Sequence, residues 1–138
     1  MKRRITSLLS IGIALVAVAA VQAQTKTETA NVPFSFYVGG SAMPQGSYKV
    51  GELSQGSVIY IQSKDATKAA TTHETVGKKQ VEPARLVFHC YGQSCFLAEI
   101  WNGETSVGRA LAVSQREKEL AQNGAAPALA VIRLALHQ

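Results

Sequence analysis

From Asn31 onward, short runs of β-branched and aromatic residues alternate with clusters of Gly, Pro, Ser, Asn and Asp. That is how an antiparallel all-β domain is written. In Val32-Pro-Phe-Ser-Phe-Tyr-Val38 the alternation puts Phe34 and Phe36 on one face and Ser35 and Tyr37 on the other. Pro33, which cannot donate to a ladder, suits an edge strand better than a central one, and Gly39-Gly40 ends the run. Pro44-Gln45-Gly46 fits a type I turn and opens a strand from Ser47 to Leu53 with Tyr48 and Val50 on one side. Val58 to Ile61 is apolar on both faces and predicts a central strand. The run from Lys68 to Val76 is more polar and predicts a strand nearer an edge.

Arg85–Tyr91 and Cys95–Trp101 read as two strands of a hairpin, linked through Tyr91-Gly92-Gln93-Ser94, with Cys90 facing Cys95. Strict alternation then groups Leu86, Phe88, Leu97 and Trp101 with the cysteines and Val87, His89, Phe96, Ala98 and Ile100 on the other face. Glu99 becomes the odd member of the cysteine face, to be met by Arg85, Arg109 or solvent. Asn102-Gly103 suits a tight hairpin, and Gly108 to Val113 supplies a further strand.

Ser114 followed three residues later by Glu117 is a capping box, opening a helix of about two turns that Asn123-Gly124 stops. So short a helix depends on packing, here by Leu120, and its Arg116, Glu117, Lys118 and Glu119 read as a wet face. In Pro127 to Gln138, Ala and Leu favour helix, while the length and apolar character fit a closing strand, which is the reading taken. The fold class predicted is all-β, an antiparallel sandwich or partly open barrel of about seven short strands with one short helix near the C-terminus.

The amino-terminal end is written differently. Lys2-Arg3-Arg4 precedes an apolar run from Leu8 to Val21, broken only by Ser10 and Gly12, and Val21-Gln22-Ala23 follows before Gln24. A basic start, an apolar centre and small residues at −3 and −1 are the parts of a secretory signal peptide, with cleavage expected between Ala23 and Gln24. At 14 residues the run falls short of the roughly 20 that span a bilayer comfortably. The division expected is therefore a signal peptide over 1–23, a flexible lead-in over 24–30, and a single β-rich domain over 31–138. With Gln24 rather than a cysteine at the new terminus, no lipid attachment and no membrane insertion of the mature chain are expected, and the compartment expected is the periplasm or the exterior.

Export also changes the charge. Three of the 14 basic residues leave with the signal, so 11 basic residues face 9 acidic ones, a net of +2. Without a block of like charges, a nucleic-acid partner is not expected. Lys78-Lys79, the densest basic spot, reads as solvated loop.

Candidate chemistry is sparse. In an exported chain Cys90 and Cys95 are expected to form a disulfide, and opposed residues of an antiparallel pair come close enough for one. The competing reading is a thiol or metal site on Cys90, Cys95 and His89, completed by His73 or His137. Neighbours on a strand point to opposite faces, which keeps His89 and Cys90 from one ion unless a bulge intervenes, and the spacing differs from zinc modules. A hydrolase using His73 or His89, or a carboxylate pair such as Glu74 and Glu99, remains open. The sequence has no G-x-S-x-G elbow, phosphate loop, H-E-x-x-H or Asp-rich calcium loop, and Asp65 is its single aspartate. No metal, no cofactor and no catalytic residue are predicted; the role expected is non-catalytic, towards a protein or an envelope polymer.

The succession Asn31-Val-Pro-Phe-Ser-Phe, Pro44-Gln-Gly-Ser-Tyr48, Leu86-Val-Phe-His-Cys-Tyr-Gly92, Phe96-Leu-Ala-Glu-Ile-Trp101 and the basic-acidic segment ending Glu119-Leu120-Ala121 resembles a group of small exported proteins of Acidobacteria. The resemblance covers most of the mature chain. It implies export and carries no activity, and the two cysteines stand where such sequences have other residue types.

Overall fold

The computed structural model describes residues 27–53, 56–124 and 126–136. The expected leader, its junction at Ala23 and Gln24, and His137 lie outside the described residues. In chain order the strands are β1 (Glu28–Val32), β2 (Phe36–Val38), β3 (Ser41–Met43), β4 (Gly46–Leu53), β5 (Val58–Gln62) and β6 (Thr67–Val76). There follow β7 (Arg85–Tyr91), β8 (Ser94–Trp101), β9 (Val107–Leu111), the helix α1 (Gln115–Gln122), β10 (Ala128–Arg133) and β11 (Ala135–Leu136).

Among the described residues these strands form an all-β sandwich with one short helix, and the sheet does not close into a barrel. The first sheet runs β11-β1-β4-β5-β6 and the second β6-β9-β8-β7-β10. β6 belongs to both: Thr67–Thr71 pairs with β5, and Thr72–Val76 pairs with β9. The polar run expected near an edge is thus the segment joining the two sheets. It looks like an edge in sequence because its side chains alternate between half-buried and exposed, with none fully buried.

Between the sheets lie Val32, Val38, Ile59, Ile61 and Phe88, all fully buried. Phe36 meets both Tyr48 and Phe88 edge to face, with ring centroids 5.2 and 5.3 Å apart, an arrangement that aligns ring edges with ring faces.

Four local expectations change. The strand expected from Val32 to Val38 is two: Pro33, with no N–H for the ladder, separates β1 from β2. β1 begins at Glu28, so Glu28 to Ala30 are strand rather than loose lead-in. The Asn102-Gly103 turn is a longer loop, in which Asn102 Oδ1 accepts from the backbone N–H groups of Glu104 at 2.9 Å and Thr105 at 3.3 Å. The C-terminal segment is strand, as read, in two pieces: β10 on β7 and β11 on β1.

Candidate functional site

The hairpin β7–β8 brings most of the chemically capable side chains together. Tyr91 pairs with Ser94, so the loop is the two residues Gly92-Gln93, shorter than expected, with Gly92 at φ 62°. A residue without Cβ enters that left-handed conformation at little cost. Cys90 and Cys95 are directly opposed, with Cα atoms 4.0 Å apart, and form a disulfide. It lies on the core side: Cys95 is buried and Cys90 packs against the core cluster. Disulfides are more typical of extracellular and periplasmic proteins.

Towards Trp101 the hairpin departs from strict alternation. Val87 pairs with Glu99 and the next residue, Phe88, with Leu97, leaving Ala98 as an extra residue in β8. Such a bulge shifts the sense of every side chain beyond it. Ile100 therefore enters the core while Glu99 and Trp101 turn outward, the reverse of the expected assignment. On the outer face Trp101 Nε1 donates to Glu99 Oε2 at 2.8 Å, and the Arg85 guanidinium stands 4.9 Å from the indole ring centroid. The other side of the ring is filled by glycine backbone: a Cβ at Gly108 would come within 2.6 Å of Trp101, and one at Gly77 within 2.8 Å.

Near the hairpin loop, α1 packs on the same outer face. Ser114 caps it, its Oγ accepting from the Glu117 N–H at 3.2 Å. The Glu117 side chain does not return to the cap. Its Oε1 accepts from Tyr91 Oη at 3.2 Å and lies 3.1 Å from His89 Nδ1. A carboxylate only accepts, so this contact places a ring proton on Nδ1. With 4% exposure Glu117 is one of the most buried side chains of the helix, not part of a wet face. Burial first, and then the charge and hydrogen bond of Glu117, push the Tyr91 phenol above its ordinary value of 10.0. Tyr37 stacks on Phe96, centroids 5.0 Å apart, and Arg116 lies 4.9 Å from the Tyr37 ring centroid.

The sequence-predicted groups therefore divide. His89 and Cys90 face opposite sides of β7, His89 bonded to Glu117 and Cys90 to Cys95. His73 is exposed and shares the outer face, but β8 and β9 separate its strand from that of His89, a lateral distance of roughly 14 Å. Glu74 aligns with Arg109 and Ile100 towards the interior, and Glu99 aligns with Ala110 and His73 on the outside, so these two carboxylates do not converge. Among the described residues, no three His, Cys, Asp or Glu side chains are grouped to hold a metal ion, and no helix is long and apolar enough to cross a membrane.

Sequence reasoning missed Glu117 as the shared partner of Tyr91 and His89, because it meets them across 26 and 28 residues. It also missed the outer face of the first sheet. There Thr29, Lys49, Gln62 and Thr67 stand in one row across β1, β4, β5 and β6, and Gly51, Tyr60 and Ala69 form the next row. A hollow of about 390 Å³ is lined by Thr29, Ser47, Tyr48, Lys49, Gln62, Ser63 and Lys64. Only period-two alternation around Tyr60 and Gln62 could have flagged this face. Comparison with family models, with curated proteins and with solved structures finds no match for the chain.

Proposed function

We propose that this is an exported β-sandwich protein of the periplasm or cell exterior that acts by binding, as a non-catalytic interaction or structural element of the envelope. One observation carries the reading: the groups best suited to chemistry are bonded to one another. Both sulfurs sit in the disulfide, and the Glu117 carboxylate takes its hydrogen bonds from His89 and Tyr91. His89 Nδ1 and the Tyr91 hydroxyl both turn to the buried Glu117 carboxylate, a contact that ties the helix to the sheet. Export is supported by the leader pattern at Lys2 to Ala23 and by the disulfide. The resemblance to small exported proteins of Acidobacteria points the same way.

Two measurements on the protein purified from cells expressing the full chain test this. Mass spectrometry is expected to find Gln24 at the amino terminus and no uptake of alkylating reagent until the protein is reduced. Sedimentation with isolated cell envelopes is expected to carry the protein into the pellet. Retention of residues 1–23 with two alkylatable thiols would overturn export, and a protein left wholly in the supernatant would overturn envelope binding.

A further inference from the structure

The outer face of the first sheet has the makings of a polymer-binding surface. Its central side chains, Asn31, Ser47, Lys49, Gln62, Thr67 and Thr71, are exposed. Tyr60 is half-buried for a specific reason. Its ring occupies the space over Gly51, where a Cβ would come within 2.4 Å of Cε1, Cζ and Oη. The ring therefore rests on glycine backbone, one side supported and the other turned to solvent. Gln62 follows on the same face of β5, roughly 7 Å along the strand, and Lys49 pairs with it from β4.

The adjoining hollow has two ammonium groups in its lining, Lys49 and Lys64, and no carboxylate. Neither lysine forms an ion pair among the described residues. Ser63 and Thr29 are already engaged: Ser63 Oγ accepts from the backbone of Asp65 and Ala66, and Thr29 Oγ1 donates to the Ala135 carbonyl at 3.3 Å. Ser47 and Gln62 supply the remaining hydroxyl and amide.

A flat aromatic ring beside neutral hydrogen-bonding groups and two cations is complementary to a chain with apolar C–H faces, many hydroxyls and spaced carboxylates. Two lysines are too few for the dense phosphates of a nucleic acid, where affinity rests on many neutralised charges. We infer that this face binds an acidic polysaccharide, Lys49 and Lys64 pairing with sugar carboxylates while Tyr60 stacks on a sugar ring and Ser47 and Gln62 bond its hydroxyls. The inference rests on the binding reading above and names its ligand class.

Affinity electrophoresis of the exported protein in gels containing polygalacturonate, alginate or neutral dextran tests it. Retardation is expected in the two acidic polymers and not in dextran. It should weaken as salt rises from about 0.05 to about 0.5 M, because screening shortens the reach of exposed charges. The double variant Lys49→Gln/Lys64→Gln is expected to lose roughly tenfold in affinity, as two exposed ion pairs contribute modestly. Tyr60→Ala should weaken binding at high salt as well as low, with an unchanged circular dichroism spectrum in both variants. Equal retardation by dextran, tighter binding to an oligothymidine probe than to either acidic glycan, or full retardation of both variants would overturn the assignment. If the protein pellets with envelopes yet passes all three gels unretarded, the acidic-glycan assignment fails alone; loss of the pellet as well removes the binding reading with it.

Discussion

The two outer faces of the sandwich each lay an aromatic ring on glycine, with opposite outcomes. On the second sheet, Trp101 fills the space over Gly77 and Gly108 beneath Arg85 and is 6% exposed. α1 covers the neighbouring area through Glu117, and Phe96 is buried against the rings of Tyr37 and Tyr91; on that face β10 leaves Leu129 and Val131 exposed at the edge. On the first sheet, Tyr60 lies over Gly51 with its other side to solvent, in a setting of Lys, Gln, Ser and Thr. The same local device serves stability where further elements are stacked on it, and leaves a usable surface where they are not.

The sharpest way to break this contrast is to add one methyl group on each face. Gly108→Ala should cost about 3 kcal/mol, because Trp101 is held on its other side and the added carbon overpacks it. Glu117→Ala should come next at about 2 kcal/mol: it strips the acceptor from His89 and Tyr91 and detaches the helix. Replacing both Cys90 and Cys95 by Ala should cost about 2 kcal/mol or less, since the loop they close is short. Gly51→Ala should cost below about 1 kcal/mol, because Tyr60 can swing outward into solvent. Urea denaturation midpoints at constant slope measure all four. Equal losses for Gly51→Ala and Gly108→Ala would mean that the two faces are sealed alike.

Alkaline titration sharpens the same comparison from the helix side. A phenol whose folded-state value is raised stays neutral longer in the native chain than in the unfolded one. Its contribution is complete below pH 10.0, the unfolded value, and is lost as pH rises through the higher native value. Stability should therefore decline above about pH 10, and Tyr91→Phe should flatten part of that decline. Tyr48, raised by burial and then by Asp65, contributes in the same direction. An unchanged profile in Tyr91→Phe would show that the Glu117 contact is absent in solution.

Much of the fold could be read from alternation alone. The β4 faces, the central place of β5, the opposed cysteines, the Ser114 cap and the closing strand all follow from local periodicity and turn chemistry. What escaped depends on distant partners. Ala98 gives no sign of a bulge, because β8 is apolar on both faces and carries no Gly at that point. The Ser114–Glu117 spacing predicted a reciprocal cap, and only its first half forms, since His89 and Tyr91 compete for the carboxylate from β7. The candidate surface around Tyr60 was still less visible: the lining of its hollow comes from three separate segments, and its polar residues look like ordinary solvated positions one at a time.

The continuity of β6 has a mechanical consequence. A single ten-residue backbone segment carries hydrogen-bonded ladders of both layers, so neither layer can peel away without loosening the other. Amide protons near Thr71 and Thr72, at the handover, should accordingly exchange only when the entire domain opens, despite side chains that water reaches.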